Sequence, residues 1–170
     1  MQCSNRKSID STEARITLNL GVFNLRVAQD SSPKSYDSSP AFLDCHVKFR
    51  LGDFFTPPSD IWWNVGVSSD CDREVGQEIS SVLVQRALPF TETLAADETL
   101  RDFWLSGAAP GLTDFERLMS LASLVTHIGP AACLMNIADE LDQKFIGRAV
   151  ENRARQRAAE LRNHFRGVSE

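Results

Sequence analysis

Three runs of residues between Arg15 and Val67 alternate between apolar and polar one by one; beyond Val67 apolar residues recur at spacings of three and four instead. The first run sets Ile16, Leu18, Leu20 and Val22 against Arg15, Thr17 and Asn19, and the second sets Cys45, Val47, Phe49 and Leu51 against His46, Lys48 and Arg50. The third sets Ile61, Trp63, Val65 and Val67 against Trp62, Asn64 and Gly66. Period-2 alternation marks strands with one buried face. Three strands in succession, with no helical segment between them, predict an antiparallel meander rather than a parallel βαβ sheet. Ser, Asp and Pro crowd residues 29–40 (QDSSPKSYDSSP) and predict a loop, and Pro57-Pro58 closes the turn after the second strand.

The second half reads as helices. Val75, Ile79, Val82 and Leu83 form one apolar face behind Asp70 or Asp72 as the cap, and this helix is expected to end before Pro89. A shorter helix from Asp97 groups Leu100, Phe103 and Trp104 and stops at Gly107. Thr113 and Glu116 stand at capping-box spacing ahead of Leu118, Leu121, Ala122 and Val125, with Gly129-Pro130 as the stop. Residues 131–165 predict two more helices broken near Gly147. The expected fold class is α+β: an antiparallel sheet of three or more strands packed with helices, followed by a C-terminal helical segment. Residues 1–170 are read as one domain, with strands mainly in 1–68, helices on the sheet in 70–107 and a helical tail in 112–166.

At 42% hydrophobic and 24% charged residues, the composition is that of a globular domain rather than a disordered or fibrous chain. No apolar stretch reaches the roughly 18 to 20 residues that a bilayer requires. Arg6, Lys7, Asp10 and Glu13 precede no apolar signal stretch, so a cytoplasmic protein is expected. Cys3, Cys45, Cys71 and Cys133 are scattered without CxxC spacing, which predicts reduced thiols.

Neighbouring residues on a strand face opposite ways, so the pair Trp62-Trp63 is split between two surfaces. Trp63 belongs with the core. Trp62 belongs with Arg15, Asn19, His46, Lys48 and Arg50, and two readings account for it. Either a helix covers this second face and packs on the indole, or the basic, aromatic face is a recognition surface.

The runs ITLNLGVF (Ile16 to Phe23), CHVKFRLGDFF (Cys45 to Phe55), DIWWNV (Asp60 to Val65) and ALPF (Ala87 to Phe90), in this order, resemble an uncharacterised bacterial family, domain of unknown function 4304. The resemblance spans roughly residues 2–107. It implies an α+β domain and brings no activity, cofactor or catalytic residue with it. It also implies a helix and a strand ahead of the segment that starts here at Gln2; a shortened form or a misassigned start is expected, with a sheet edge or face left uncovered.

Catalytic patterns are sparse. Cys45 and His46 face opposite ways on a strand and cannot share a proton. No GxGxxG, Walker-type loop, GxSxG or HExxH is present. His46, His127 and His164 lie far apart, so no metal and no cofactor is expected. Residues 144–166 hold seven Lys or Arg against Glu151 and Glu160, a charge of +5 that leaves −10 for the rest of the net −5. Ile146, Val150, Ala154, Ala158, Leu161 and Phe165 make this tail an amphipathic helix whose basic face is expected to pair with the acidic body; nucleic-acid binding is disfavoured. The expected function is a binding or interaction module, inhibitor- or immunity-like, that presents Trp62, Arg15, Asn19, His46, Lys48 and Arg50 to a protein partner or a second copy of the chain, with no membrane role. The rival is a small hydrolase or nucleotide-handling enzyme on the same face, with His46 as general base.

Overall fold

The computed structural model describes residues 2–7, 14–31, 39–66 and 68–168. The fold is α+β, an antiparallel sheet packed with helices and closed by a C-terminal helix. The sheet is organised around β2 (Ala14–Val22). Along one edge lies β1 (Gln2–Lys7), antiparallel from Gln2↔Asn19 to Lys7↔Ala14; the sequence pattern did not identify this strand. The other edge is shared by β3 (Val47–Arg50), which pairs Val47↔Val22 to Arg50↔Asn19, and β4 (Trp63–Val65), which pairs Trp63↔Ile16 to Val65↔Ala14.

The second and third alternating runs therefore do not lie side by side as successive meander strands. They lie end to end on β2, and the chain leaves for residues 51–62 while β2 advances only from Asn19 to Ile16. Alternation reports which face a residue takes but not which strand it pairs with, so it could not separate the two arrangements. Both strands are shorter than their alternating runs, and Val67 lies outside the described residues.

A short helix α1 (Leu25–Ser31) follows β2 because Asn24 Oδ1 accepts the Val27 N–H at 3.2 Å and caps it. Gln29, Asp30 and Ser31 are thus helical rather than part of the expected loop; residues 32–38 of that loop lie outside the described residues. Helix α2 (Ser69–Val82) is capped by Ser68, whose side chain accepts the Cys71 N–H. Asp70 and Asp72 are not the caps: both already stand in the first helical turn, where their charge complements the N-terminal dipole.

The chain does not stop before Pro89. It passes through a π turn, Leu83–Ala87, into α3 (Leu88–Thr93). Pro89 has no N–H to give to Gln85 and its ring crowds that carbonyl. In the wider turn the Leu88 N–H reaches Leu83 O, so the helix accommodates the proline instead of ending there.

Helices α4 (Asp97–Leu105), α5 (Asp114–Ile128), α6 (Ala131–Lys144) and α7 (Glu151–Val168) follow. The expected capping box starts α5: the Thr113 N–H donates to Glu116 Oε2 at 2.8 Å and the Glu116 N–H to Thr113 Oγ1 at 3.2 Å. The break between α6 and α7 contains Gly147 at φ 73°, a backbone angle that only glycine adopts without strain.

The inner face of β2 serves two apolar clusters. Leu18, Leu20 and Trp63 meet Leu51 and Ala87, with Val75, Ile79 and Val82 of α2 against them. Val22, Val47 and Phe49 belong instead to the larger core of α4 to α7, built around the fully buried Trp104. Trp63 is buried beside Ile16, Leu18 and Leu20 as alternation requires, while Val47 and Phe49, on the same face of β3, sit in the other cluster. Phe54 packs against both, and with Phe49, Phe90 and Phe103 it forms a group of rings at 5.5 to 6.4 Å between centroids that joins them.

Candidate functional site

Trp62 is the last residue of the 51–62 excursion, one position before β4. Because Trp63 turns inward, the Trp62 indole lies on the opposite face, half-buried. Two guanidinium groups flank it: Arg15 Cζ is 5.9 Å and Arg50 Cζ 5.8 Å from the ring centroid, within cation–π range. Arg15 on β2 and Arg50 at the end of β3 are exposed. Between Arg15 and Asn19 on β2, Thr17 is 2% exposed, and its Oγ1 has no hydrogen-bond partner among the described residues.

The loop holds Arg50 in place. Its guanidinium pairs with Asp60, and its backbone N–H donates to Asp53 Oδ2 at 2.8 Å. Arg15 and Lys48, by contrast, have no carboxylate within 4 Å among the described residues. A cleft of about 540 Å³ opens beside Lys48 and Arg50, walled also by Asn19, Phe42, Asp53 and Gly111. Its far wall fits closely. The Lys48 N–H donates to Pro110 O at 3.1 Å, and a Cβ on Gly111, whose φ is 77°, would meet the Lys48 Cβ at 2.7 Å.

Five of the six residues expected from sequence (Trp62, Arg15, Asn19, Lys48 and Arg50) are thus brought to one surface. His46 lines neither the Lys48 cleft nor the Trp62 indole among the described contacts. Its Nδ1 accepts the Asn24 N–H at 3.1 Å and its ring lies 5.3 Å from Phe23, so it clamps the turn between β2 and α1. Burial first, and then the charge of Lys48, push the imidazole down from 6.5 to about 4. The folded state therefore favours neutral His46, while the unfolded chain takes up a proton below 6.5.

Stability should be full above pH 6.5 and fall as pH drops toward 4. The contribution is roughly 1 to 2 kcal/mol after discounting for partial solvent contact. Urea unfolding at pH 7 and pH 5 should show this loss in the wild type and a smaller one in His46→Asn, whose amide oxygen can still accept from Asn24. Equal losses in both proteins would remove His46 as the cause.

Cys45, next to His46, is buried with Sγ 3.6 Å from Ala41 O, and burial pushes its thiol up. It is a packed thiol and makes no dyad with His46.

A second polar cluster joins α1, α5 and α7, and no spacing in the sequence signalled it. Ser123 Oγ donates to Asp30 Oδ2 at 2.5 Å and Arg157 Nη2 donates to the same oxygen at 2.6 Å, across separations of 93 and 127 residues. Burial alone would raise the Asp30 carboxyl; the Ser123 hydrogen bond and the Arg157 charge outweigh it and hold the group below 3.8.

Much of the basic tail is paired with the acidic body. Arg162 meets Asp139 and Asp142, Lys144 meets Asp114 and Glu140, and Arg155 meets Glu151 on its own helix. Among the described residues no group of three or more His, Cys, Asp or Glu could hold a metal ion, and no helix is long and apolar enough to cross a membrane. No family model matches the chain, and no significant match to it is found among curated proteins or solved structures.

Proposed function

We propose that this protein is a binding module that presents the Arg15–Trp62–Arg50 stack and the adjoining Lys48 cleft to an acidic surface on a protein partner or on a second copy of the chain, in the manner of an inhibitor or immunity protein. The observation that carries the reading is a half-buried indole with two exposed guanidinium groups within cation–π range, and no carboxylate within 4 Å of Arg15 or Lys48 among the described residues. A rigid aromatic anchor ringed by cations is the composition of an interface hot spot. The cytoplasm is the proposed setting, supported by the free thiols of Cys45, Cys71 and Cys133. Kinship with the domain of unknown function 4304 family is part of the proposal and adds no activity to it. The hydrolase reading draws no support from His46, whose Nδ1 is occupied by a backbone N–H and whose basicity is low.

Trp62→Ala should abolish partner capture from an extract of the source cells, or self-association in sedimentation, while lowering stability by no more than about 1 to 2 kcal/mol because the ring is only half-buried. Lys48→Glu should weaken the same interaction and make its loss with salt shallower, because the screened attraction to an acidic partner is removed. Retention of every captured partner and of the sedimentation profile by Trp62→Ala would rule the reading out.

A further inference from the structure

Two adjoining cavities run between α5 and α7, of about 420 and 320 Å³. They share Met119, Ser120 and Arg153. The first is apolar on one side, with Phe115, Met119 and Val150; the second is polar, with Ser123, Gln156 and Arg157.

The carboxylates along this path are already engaged. Glu116 accepts from the Thr113 N–H and Oγ1, both at 2.8 Å, and Asp30 accepts from Ser123 and Arg157. Glu160 accepts from Gln156 and Arg157, both at 3.1 Å. Two donors at the junction are left over. The Arg153 guanidinium lies 5.4 Å over the Phe115 ring and has no carboxylate within 4 Å among the described residues. The Ser120 hydroxyl has no hydrogen-bond partner among them either. The spare capacity of the cleft is therefore cationic and hydrogen-bond donating, and it stands beside the apolar side of the first cavity, formed by Phe115, Met119 and Val150 and faced by Thr113 and Glu116.

We propose that this cleft binds a small amphiphilic monoanion, an apolar chain ending in a carboxylate, with the carboxylate on Arg153 and Ser120 and the chain against Phe115, Met119 and Val150. A guanidinium lying over a ring can present its planar donor edge to a carboxylate. Glu116 and Glu160 on either side disfavour ligands of higher negative charge, which selects one carboxylate over a phosphate ester. Such a ligand chemistry arises in free medium-chain acids and at the C-terminus of a peptide ending in an apolar residue.

Titration of the full chain with octanoate, followed by amide chemical shifts, should give saturable changes at Met119, Ser120 and Val150. Octanol, of the same length without the charge, should bind at least about tenfold more weakly. Arg153→Gln should cost octanoate about tenfold and leave octanol unchanged, with shifts outside the cleft intact. Ser120→Ala should cost less. A leucine-terminated tetrapeptide that competes with octanoate as the free acid and not as the amide would identify the ligand as a chain terminus; octanoate binding without such competition would identify a free acid. Absence of saturable shifts with either ligand, octanol binding equal to octanoate, or an unaltered octanoate affinity in Arg153→Gln would each overturn the proposal.

Discussion

Trp63→Ala should destabilise the protein by roughly 3 to 5 kcal/mol, the range for removing a large buried aromatic. Trp63 is 5% exposed and stands where Leu18 and Leu20 of β2 meet α2, with Phe55 at 6.3 Å on another side. No neighbour can collapse into the space without pulling β4 off β2 or α2 off the sheet. Its Nε1–H also donates to Glu78 Oε2 at 2.7 Å, so truncation removes the hydrogen bond that ties β4 to α2. Urea denaturation at neutral pH measures the loss directly, and Trp62→Ala is the matched control one residue away. A smaller loss for Trp63→Ala than for Trp62→Ala would mean that the packing role belongs to the other face.

Gly52→Ala should be the most damaging small substitution, at about 3 kcal/mol, the upper end of ordinary overpacking. Gly52 is buried at the start of the 51–62 excursion, where the chain returns close against itself: its carbonyl accepts N–H groups from Phe55 and Ser59 at 3.2 and 3.1 Å. An added Cβ would press on the Ser59 carbonyl oxygen and lie 3.1 Å from its carbon and 3.2 Å from Ile61 N. These are backbone atoms, so no rotamer change can relieve the contact. The loop carrying Asp60 and Trp62 would have to move, and loss of the recognition surface should accompany the loss of stability. Gly76→Ala is the informative contrast: it lies inside α2 with nothing within 4 Å of an added Cβ, and it should stabilise the protein by about 0.5 to 1 kcal/mol. Chemical denaturation of the two variants side by side should therefore give changes of opposite sign.

The residues themselves determined several features of this fold. Alternation assigned Trp63 to the core and Trp62 to the other face, because a strand's side-chain period is set by backbone geometry and needs no partner to express it. Thr113 and Glu116 started α5, and Gly129-Pro130 ended it, through local hydrogen bonds that close within a few residues. The change from period 2 to helical spacing announced an α+β fold for the same reason: the signal is written within each element.

Everything that depends on distant residues was decided only in the tertiary structure. β3 and β4 share one edge of β2 because Arg50 and Trp63 pair with Asn19 and Ile16, a choice that alternation leaves open. The helix continues past Pro89 because a π turn rearranges its hydrogen bonds, and His46 is engaged at the turn between β2 and α1 because the N–H of Asn24, 22 residues away, donates to its ring nitrogen. The Asp30–Ser123–Arg157 cluster and the Arg153 cleft had no signature at all, since helices α1, α5 and α7 each carry part of them and only packing brings the parts together. Local periodicity encodes which way a side chain points; what it meets there is set by the pairing and packing of segments that the chain separates by tens of residues.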